Sequence, residues 1–227
     1  MNAPANATVG STAPTEQHEK VKPKMRGMSH FFGFVASVGA TVFLLLAPAT
    51  GSQYLAGVIY GLSMCLMFGS SALYHRPNWS HRARERLRRV DHAAIFTLIA
   101  GTTTPLAVYS AGGGWSLSLT VMWVGALLGM TFVIAFSHSH RGLRAAVYVV
   151  LGLLSTPLVL GLYASIGATR VAFLLLGAAV YIAGAAVYAK RWPNPRPLLF
   201  GYHEVFHVMV IIAAALHFGV VLDLQYQ

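Results

Sequence analysis

The stretch GYHEVFH, residues 201–207, opens the last apolar segment of the chain. Residues four apart lie one turn apart on the same face of a helix, so His203 and His207 can reach one metal ion. The letters also match H-E-x-x-H, the zinc signature in which the glutamate acts on a metal-bound water. In a soluble helix such histidines could simply face other helices, but ionisable groups inside apolar segments are rare and usually functional. The stretch therefore predicts a metal-ligand pair within a hydrophobic helix.

The rest of the chain is also apolar. Of its 227 residues, 56% are hydrophobic and only 10% are charged, and a soluble domain of this size does not need so much apolar sequence. We expect one all-α, polytopic membrane domain over residues 29–227. The single cysteine, Cys65, excludes an internal disulfide framework and an all-thiolate metal site.

Residues 1–28 form a tail rich in Ala, Pro, Thr and Asn that ends in a basic cluster. No apolar core precedes that cluster, so the tail is not expected to be a secretory signal. Because such a composition cannot bury enough apolar surface to fold, we expect a disordered basic tail beside the membrane, on its cytoplasmic side.

Seven apolar segments follow the tail, and each has roughly the 20 residues that a helix needs to cross a bilayer core. Helices are expected because every backbone polar group must be satisfied inside such a segment. Pro105 and Pro157 fall in the middle of segments and are expected to kink helices three and five. The predicted spans are 30–48, 54–74, 92–109, 115–136, 143–163, 170–189 and 198–222.

The lysines and arginines predict the orientation. With seven crossings, the tail and the loops after segments two, four and six share one side, and together they carry all of the 16 basic residues except Arg170. The positive-inside rule then places the N-terminus in the cytoplasm and the C-terminus outside. The same distribution accounts for the net charge of +10, so no nucleic-acid partner is expected.

Polar residues on three different segments fall at the same predicted depth. Segment two ends with Ser71 and His75, which lie one turn apart on one helix face, and segment three opens beside Asp91. In the seven-span topology both positions lie at the cytoplasmic side, together with the start of segment seven. Residues that are far apart in the chain are therefore expected to converge there on His203 and His207.

Three neutral imidazoles and a water make a tetrahedral zinc site with one open position, the arrangement of catalytic zinc. His75, His203 and His207 would be the ligands of Zn²⁺, although imidazole also suits iron, copper and nickel. Asp91 would hold and deprotonate the water, or orient a ligand. Ser71 would hydrogen-bond to Asp91, to the water or to a substrate oxygen, or else to a carbonyl of its own helix.

The remaining histidines are expected to lie away from the metal. His92 is about 100° around the helix from Asp91, and His217 is about 21 Å along the axis from His203. The others are expected to be solvated in the tail or in loops at the membrane surface: His18, His30, His81, His138 and His140.

With these residues in place, the chain resembles the hemolysin III family, which belongs to the wider superfamily of adiponectin and progestin receptors and is related to alkaline ceramidases. The superfamily pattern S-x3-H, then D, then H-x3-H, matches the five residues singled out above. The resemblance implies a seven-helix fold with a three-histidine zinc site near the cytoplasmic leaflet, in the plasma (inner) membrane of a bacterium. The matching stretches are SALYHRPNWS (71–80), DHAAIF (91–96), GTTTP (101–105), PNPRP (193–197) and FGYHEVFH (200–207).

Four functions are compatible with these residues. The prediction is a zinc-dependent hydrolase acting on a membrane lipid, with zinc polarising a carbonyl and Asp91 as general base; analogy with the ceramidases makes a lipid amide or ester the expected substrate. A non-catalytic, lipid-sensing receptor or regulator would use zinc structurally. An intramembrane metallopeptidase would use Glu204 as its base. A cytolysin would need a polar channel, and few ionisable residues are present to line one. No oligomeric state is predicted.

Overall fold

The structure is a computed structural model that describes residues 22–49, 51–110 and 116–227. Within these residues the only β pairing is an isolated antiparallel bridge between Arg196 and Phe200, which confirms the all-α class. Most of the predicted tail, residues 1–21, lies outside the described part of the chain. The helices are α1 (Met28–Leu46), α2 (Gly51–His75), α3 (His81–Val108), α4 (Leu117–Ala135), α5 (Arg141–Leu154), α6 (Thr156–Gly161), α7 (Tyr163–Ile166), α8 (Ala168–Lys190) and α9 (Tyr202–Gln225).

In the described part of the chain, six helical units are long and apolar enough to cross a membrane. They are α1, α2, α4, α8, α9 and the unit of α5 and α6 from Arg141 to Gly161. α3 has the length but not the composition, because it begins in the basic stretch and contains Asp91, His92 and four threonines. Large apolar side chains such as Phe32, Phe43 and Leu128 point outward, as expected of helices that face lipid rather than water. The chain is therefore a multi-pass membrane protein.

The start of α3 differs from the prediction. The helix begins at His81 rather than at residue 92, and the Ser80 hydroxyl caps it by accepting a hydrogen bond from the Ala83 N–H at 3.4 Å. Hydropathy marks this arginine-rich stretch as a loop, but Arg, Ala, Leu and Glu are strong helix formers and Ser is a preferred N-cap. The basic residues predicted in a loop thus lie mostly on the first turns of a helix.

The two prolines act as expected to different degrees. Pro157 lies in the first turn of α6, where the predicted span 143–163 is broken into α5, α6 and α7. Beside that break the hydroxyl of Ser155 donates to Gly152 O at 2.6 Å. Pro105 instead stays inside α3, where hydroxyls of threonines 102–104 donate to carbonyls one turn earlier.

Two apolar clusters hold the bundle together. The larger one joins residues of α1, α2, α3, α8 and α9 and includes Tyr60, and the smaller one joins α3, α4 and α5 and includes Phe96. Both of these rings are fully buried. Because α3 contributes to both clusters, it lies at the centre of the helix packing.

The tail end and the basic loops meet at one end of the bundle. We call this the basic end and define it as residues 22–27, 76–90, 137–144 and 190–201. Residues 22–27, the described end of the predicted tail, lie there against two of the loops. Three hydrogen bonds join the segments around the basic end: Lys22 Nζ to Arg76 O (2.7 Å), Lys24 N to Leu198 O (3.1 Å) and Arg141 Nη1 to Tyr202 Oη (3.4 Å).

Candidate metal centre

The first turns of α9 present His203 and His207 on one face. Gly201 precedes the helix, and the Glu204 carboxylate accepts its backbone N–H at 2.8 Å. This bond satisfies one of the free donors at the helix start and fixes where the helix begins. The two histidines consequently enter the bundle close to the basic end.

α2 brings the third histidine to the same place. The helix ends at His75, and Pro77 follows two residues later, where it disfavours further helix. The indole N–H of Trp79 donates to Leu73 O at 2.8 Å and covers one of the last helix carbonyls. These two features hold His75 as the final residue of the helix, beside α9.

The three imidazoles converge on one point. Nε2 of His75 lies 3.2 Å from Nε2 of His203, and one nitrogen of each ring, including His207, lies within 4.8 Å of the other two. The ring centroids are 4.4–5.1 Å apart and the ring planes are tilted by 57–67°. His207 is only 2% exposed. The structure thus brings together the three residues that the spacing predicts as ligands.

This cluster fits a metal ion better than it fits a hydrogen-bonded group. An N–H···N hydrogen bond can join two of the rings but not all three. Buried polar atoms are normally paired, and one cation would accept a lone pair from all three imidazoles. Neutral imidazole suits zinc, iron, copper and nickel, so the side chains support a metal site without distinguishing the metal.

The two residues predicted to work beside the metal lie next to the cluster. Oδ2 of Asp91 is 3.8 Å from Nε2 of His75, and the Asp91 side chain is almost fully buried. Ser71 is buried one turn before His75 and lies beside the Asp91 carboxyl. Asp91 is on the third turn of α3 rather than at its start, but it occupies the predicted depth.

His30 contradicts its prediction. We expected a solvated residue, but His30 is 3% exposed and its ring stacks flat on His207, with centroids 3.7 Å apart and an interplanar angle of 8°. Its Nδ1 is 2.8 Å from the hydroxyl of Ser71. α1 begins before the predicted span, and His30, Gly33 and Ser37 share its buried face. In the sequence, small and polar residues spaced three or four apart along this segment could have indicated that this face is buried.

Four other histidines follow their predictions. Nε2 of His217 hydrogen-bonds to Leu174 O at 3.0 Å, far from the cluster. His81, His138 and His140 are exposed, and His18 lies outside the described residues.

Glu204, the glutamate of the H-E-x-x-H letters, is fully engaged elsewhere. It is 1% exposed, its Oε1 is 2.5 Å from Nε of Arg26, and its Oε2 accepts the Gly201 N–H. Both oxygens are therefore used to anchor the tail end and to start α9. Neither is free to take a proton at the histidine cluster.

The segment 22–27 covers the histidine cluster from the basic end. Gly27 has a φ of +77°, which favours glycine, and a Cβ at this position would lie 2.8 Å from Cβ of His75. The backbone N–H of Met25 donates to Leu199 O at 3.2 Å. The segment is thus tied to the loop before α9 and closes over the end of α2.

Comparison with known proteins gives consistent matches over most of the chain. The model of a family described as "Haemolysin-III related" matches residues 18–218. The "Hemolysin-3 homolog" of Bacillus subtilis (strain 168) is 34% identical over 202 residues, 86% of this chain and 90% of that protein. "Hemolysin-3" of Bacillus cereus is 31% identical over 201 residues, 86% and 88% of the two chains. The "Adiponectin receptor protein" of Drosophila melanogaster is 24% identical over 211 residues, 84% of this chain but 48% of that protein.

Proposed function

This chain belongs to the Haemolysin-III related family, and from that premise we propose that it is a zinc-dependent membrane hydrolase that cleaves a lipid amide or ester at the cytoplasmic leaflet. Two observations support the proposal. Three imidazoles converge on one point, and Asp91 stands beside them with its carboxylate unpaired by any arginine or lysine in the described residues.

The proposed topology has seven spans, with α3 as the seventh. α2 ends and α3 begins at the basic end, and α4 returns there, since Ser137 just after α4 hydrogen-bonds to Glu85 at 3.1 Å. This arrangement requires α3 to run the length of the bundle, which supports counting it as a span. All basic residues but Arg170 then fall on one side, which favours a cytoplasmic N-terminus and an external C-terminus in a bacterial inner membrane.

The metal would be held by His75, His203 and His207. Bound there, Zn²⁺ would supply Lewis acidity, polarising a substrate carbonyl and making a water molecule more acidic. The ligands come from the last residue of α2 and the first turns of α9, so the site lies near the membrane surface. The amide and ester linkages of lipids lie at that depth, between head groups and acyl chains.

Asp91 would serve as the general base. Its Oδ2 would accept a proton from water as the water oxygen bonds to the carbonyl carbon, and would return that proton to the leaving nitrogen or oxygen as the C–N or C–O bond breaks. Ser71, which lies beside Asp91, would orient this carboxylate by donating its hydroxyl hydrogen to it. His30, bound to Ser71 and stacked on His207, would hold both groups in position.

One observation carries the choice of Asp91 as base over the peptidase mechanism. Asp91 lies 3.8 Å from a ligand histidine, whereas both oxygens of Glu204 are occupied by Arg26 and by the Gly201 N–H. A lipid-sensing receptor with structural zinc is the second candidate, because a relative bears the name of an adiponectin receptor. The names of the bacterial relatives make cytolysis a further candidate. No charged lining of a channel within the described residues supports it.

The test compares Asp91→Asn with the matched variant Glu204→Gln. Each protein is purified with bound zinc in lipid nanodiscs, and fatty-acid release is measured from a short-chain ceramide and from a diacyl ester lipid. We expect Asp91→Asn to keep its metal and to lose about 10²–10⁴-fold in rate, the usual contribution of a general base. We expect Glu204→Gln to lose much less.

Three outcomes would change the conclusion. Zinc-loaded wild type that releases no fatty acid from either lipid class would favour the receptor. A greater loss in Glu204→Gln than in Asp91→Asn would make Glu204, rather than Asp91, the general base. Equal rates in His75→Ala and wild type would remove the metal centre from the reaction.

A further inference from the structure

α5 buries an arginine that lacks a counter-charge. Arg144 lies in the first turn of the helix and is 8% exposed. Its Nη1 donates to the carbonyl oxygen of Ser139, a neutral acceptor, and its Nε is buried without a hydrogen-bond partner. No ion pair joins it to a carboxylate within residues 22–49, 51–110 and 116–227. A guanidinium buried in this way is strongly disfavoured unless an anion accompanies it.

A second arginine faces the same place from α3. Tyr148, one turn after Arg144, donates its hydroxyl to His92 O at 3.5 Å, and Arg88 is one turn before His92. α3 and α5 both run away from the basic end, so this contact sets Arg88 and Arg144 at the same level. Both guanidinium groups lie within electrostatic range of His92. Two positive charges therefore flank one small region between the helices.

The carboxylate that pairs with Arg88 is already used, and Asp91, directly before His92, makes no ion pair with an arginine among the described residues. Glu85 Oε1 pairs with Arg88 Nη2 at 2.7 Å and with Arg89 Nε at 3.6 Å, and it accepts the Ser137 hydroxyl at 3.1 Å. The hydrogen bond from Arg88 lowers the pKa of Glu85 to about 2, so the group is ionised at neutral pH. One negative charge is thus shared by two arginines, and Arg144 receives none of it.

Polar atoms without a hydrogen-bond partner lie on the segments around this region. Among the described residues, the buried side-chain atoms without a hydrogen-bond partner include Arg88 Nε, His92 Nδ1, Ser139 Oγ and Arg144 Nε. All four can donate a hydrogen bond, and they come from α3, from the loop after α4 and from α5. Buried donors are normally paired, so these four suit a group that accepts several hydrogen bonds.

We propose that Arg144, Arg88, His92 and Ser139 form a binding site for a phosphate group at the basic end. A phosphate carries the negative charge that Arg144 lacks, and its tetrahedral oxygens accept hydrogen bonds from several directions, whereas a planar carboxylate suits one fork of donors. The phosphate can come from the head group of an anionic phospholipid or from free phosphate. This site is separate from the three histidines and does not depend on the proposed hydrolysis.

The experiment measures phosphate binding by titration calorimetry on the purified, full-length protein in detergent. The probes are inorganic phosphate, a short-chain phosphatidic acid and, as the zwitterionic control, a short-chain phosphatidylcholine. Arg144→Gln is compared with Arg82→Gln, which removes the same charge from an exposed position of α3. We expect wild type to bind phosphatidic acid or phosphate saturably. Arg144→Gln should bind it about tenfold more weakly or worse, because charge-assisted hydrogen bonds are lost. Arg82→Gln should stay within about twofold of wild type.

The probes also identify the source of the phosphate. Binding of phosphatidic acid alone would assign the site to a lipid head group, and binding of inorganic phosphate alone would assign it to the free ion. Competition between the two would show one site that takes either. Equal weakening by Arg144→Gln and Arg82→Gln would overturn the proposal, since a general surface charge would then explain binding.

Protein stability provides a second test that does not need the Arg144 variant. We expect phosphatidic acid or phosphate to raise the melting temperature of wild type saturably, and phosphatidylcholine or an equal ionic strength of chloride to raise it less. No such difference would contradict the site. If Arg144→Gln folds, it should be at least as stable as wild type without added anion, because an uncompensated buried charge is removed. A less stable variant with unchanged phosphate binding would make Arg144 a structural residue only.

Discussion

The two ends of α9 carry similar ion pairs in opposite surroundings. Near its start, Glu204 lies 2.5 Å from Arg26 and is 1% exposed; near its end, Asp223 lies 2.5 Å from Arg170 with 57% of its side chain exposed. Distance alone does not separate the two pairs, but burial does. A buried carboxylate depends on its partner, whereas an exposed one is solvated with or without it.

The histidines along α9 differ in the same way. Nε2 of His217 hydrogen-bonds to the Leu174 carbonyl, and its neighbour Tyr181 contributes only a ring at 5.6 Å. His207 instead stacks on His30 and faces two further imidazoles. A partly buried histidine that pairs with one carbonyl has a packing role, while three histidines that share a point are suited to a cation. The basic end is therefore where we expect function.

The largest expected difference between the two ends is in metal content. His207→Ala should reduce bound zinc from about one ion per chain to below about 0.1 ion per chain. Two imidazoles from separate helices bind zinc far more weakly than three. His217→Ala, the matched control, removes a partly buried histidine ten residues further along the same helix and should keep its zinc. Elemental analysis of both purified variants checks this, and equal zinc in the two would break the distinction.

The next difference is in stability. Arg26→Ala leaves Glu204 buried and unpaired and should cost about 3–5 kcal/mol, lowering the melting temperature by roughly 10 °C. Arg170→Ala breaks the exposed pair and should cost at most about 1 kcal/mol, or roughly 3 °C. Thermal unfolding in one detergent measures both. Equal shifts would mean that burial does not distinguish the pairs.

A smaller effect would separate the two contacts of His30. His30→Ala loses the ring stacked on His207 and the bond to Ser71, and should weaken zinc binding by about tenfold, the lower range for residues that orient metal ligands. His30→Phe keeps a flat ring against His207 and should recover most of that affinity, but not the catalytic rate. Competition with a zinc chelator measures the affinity. No recovery in His30→Phe would show that the hydrogen bond, rather than the stack, orients the ligand.

Much of the fold and the histidine cluster could be predicted because the signals are local. Apolar runs identify the membrane helices, and the i, i+4 spacing of His203 and His207 sets them on one face. The predicted start of α3 was wrong, because hydropathy does not distinguish a basic loop from a basic helix. Ser80 and the helix-forming residues after it carry that information.

Burial of particular polar residues was not predictable in the same way. His30 and Arg144 lie near segment ends, where a side chain is either solvated or turned inward according to which helices pack beside it. That packing joins residues distant in sequence, such as His30 with His207 and Arg144 with the α3 face around His92. Hydropathy along the chain contains no such information, so each became clear only from the structure.

The most direct test of the metal centre is X-ray absorption at the zinc edge on purified, full-length protein loaded with one equivalent of zinc. We predict three imidazole nitrogens at about 2.0–2.1 Å and one further light atom in the fourth position. A spectrum that requires one imidazole or none, or a protein that takes up no zinc, would contradict the convergence of His75, His203 and His207 on a single ion.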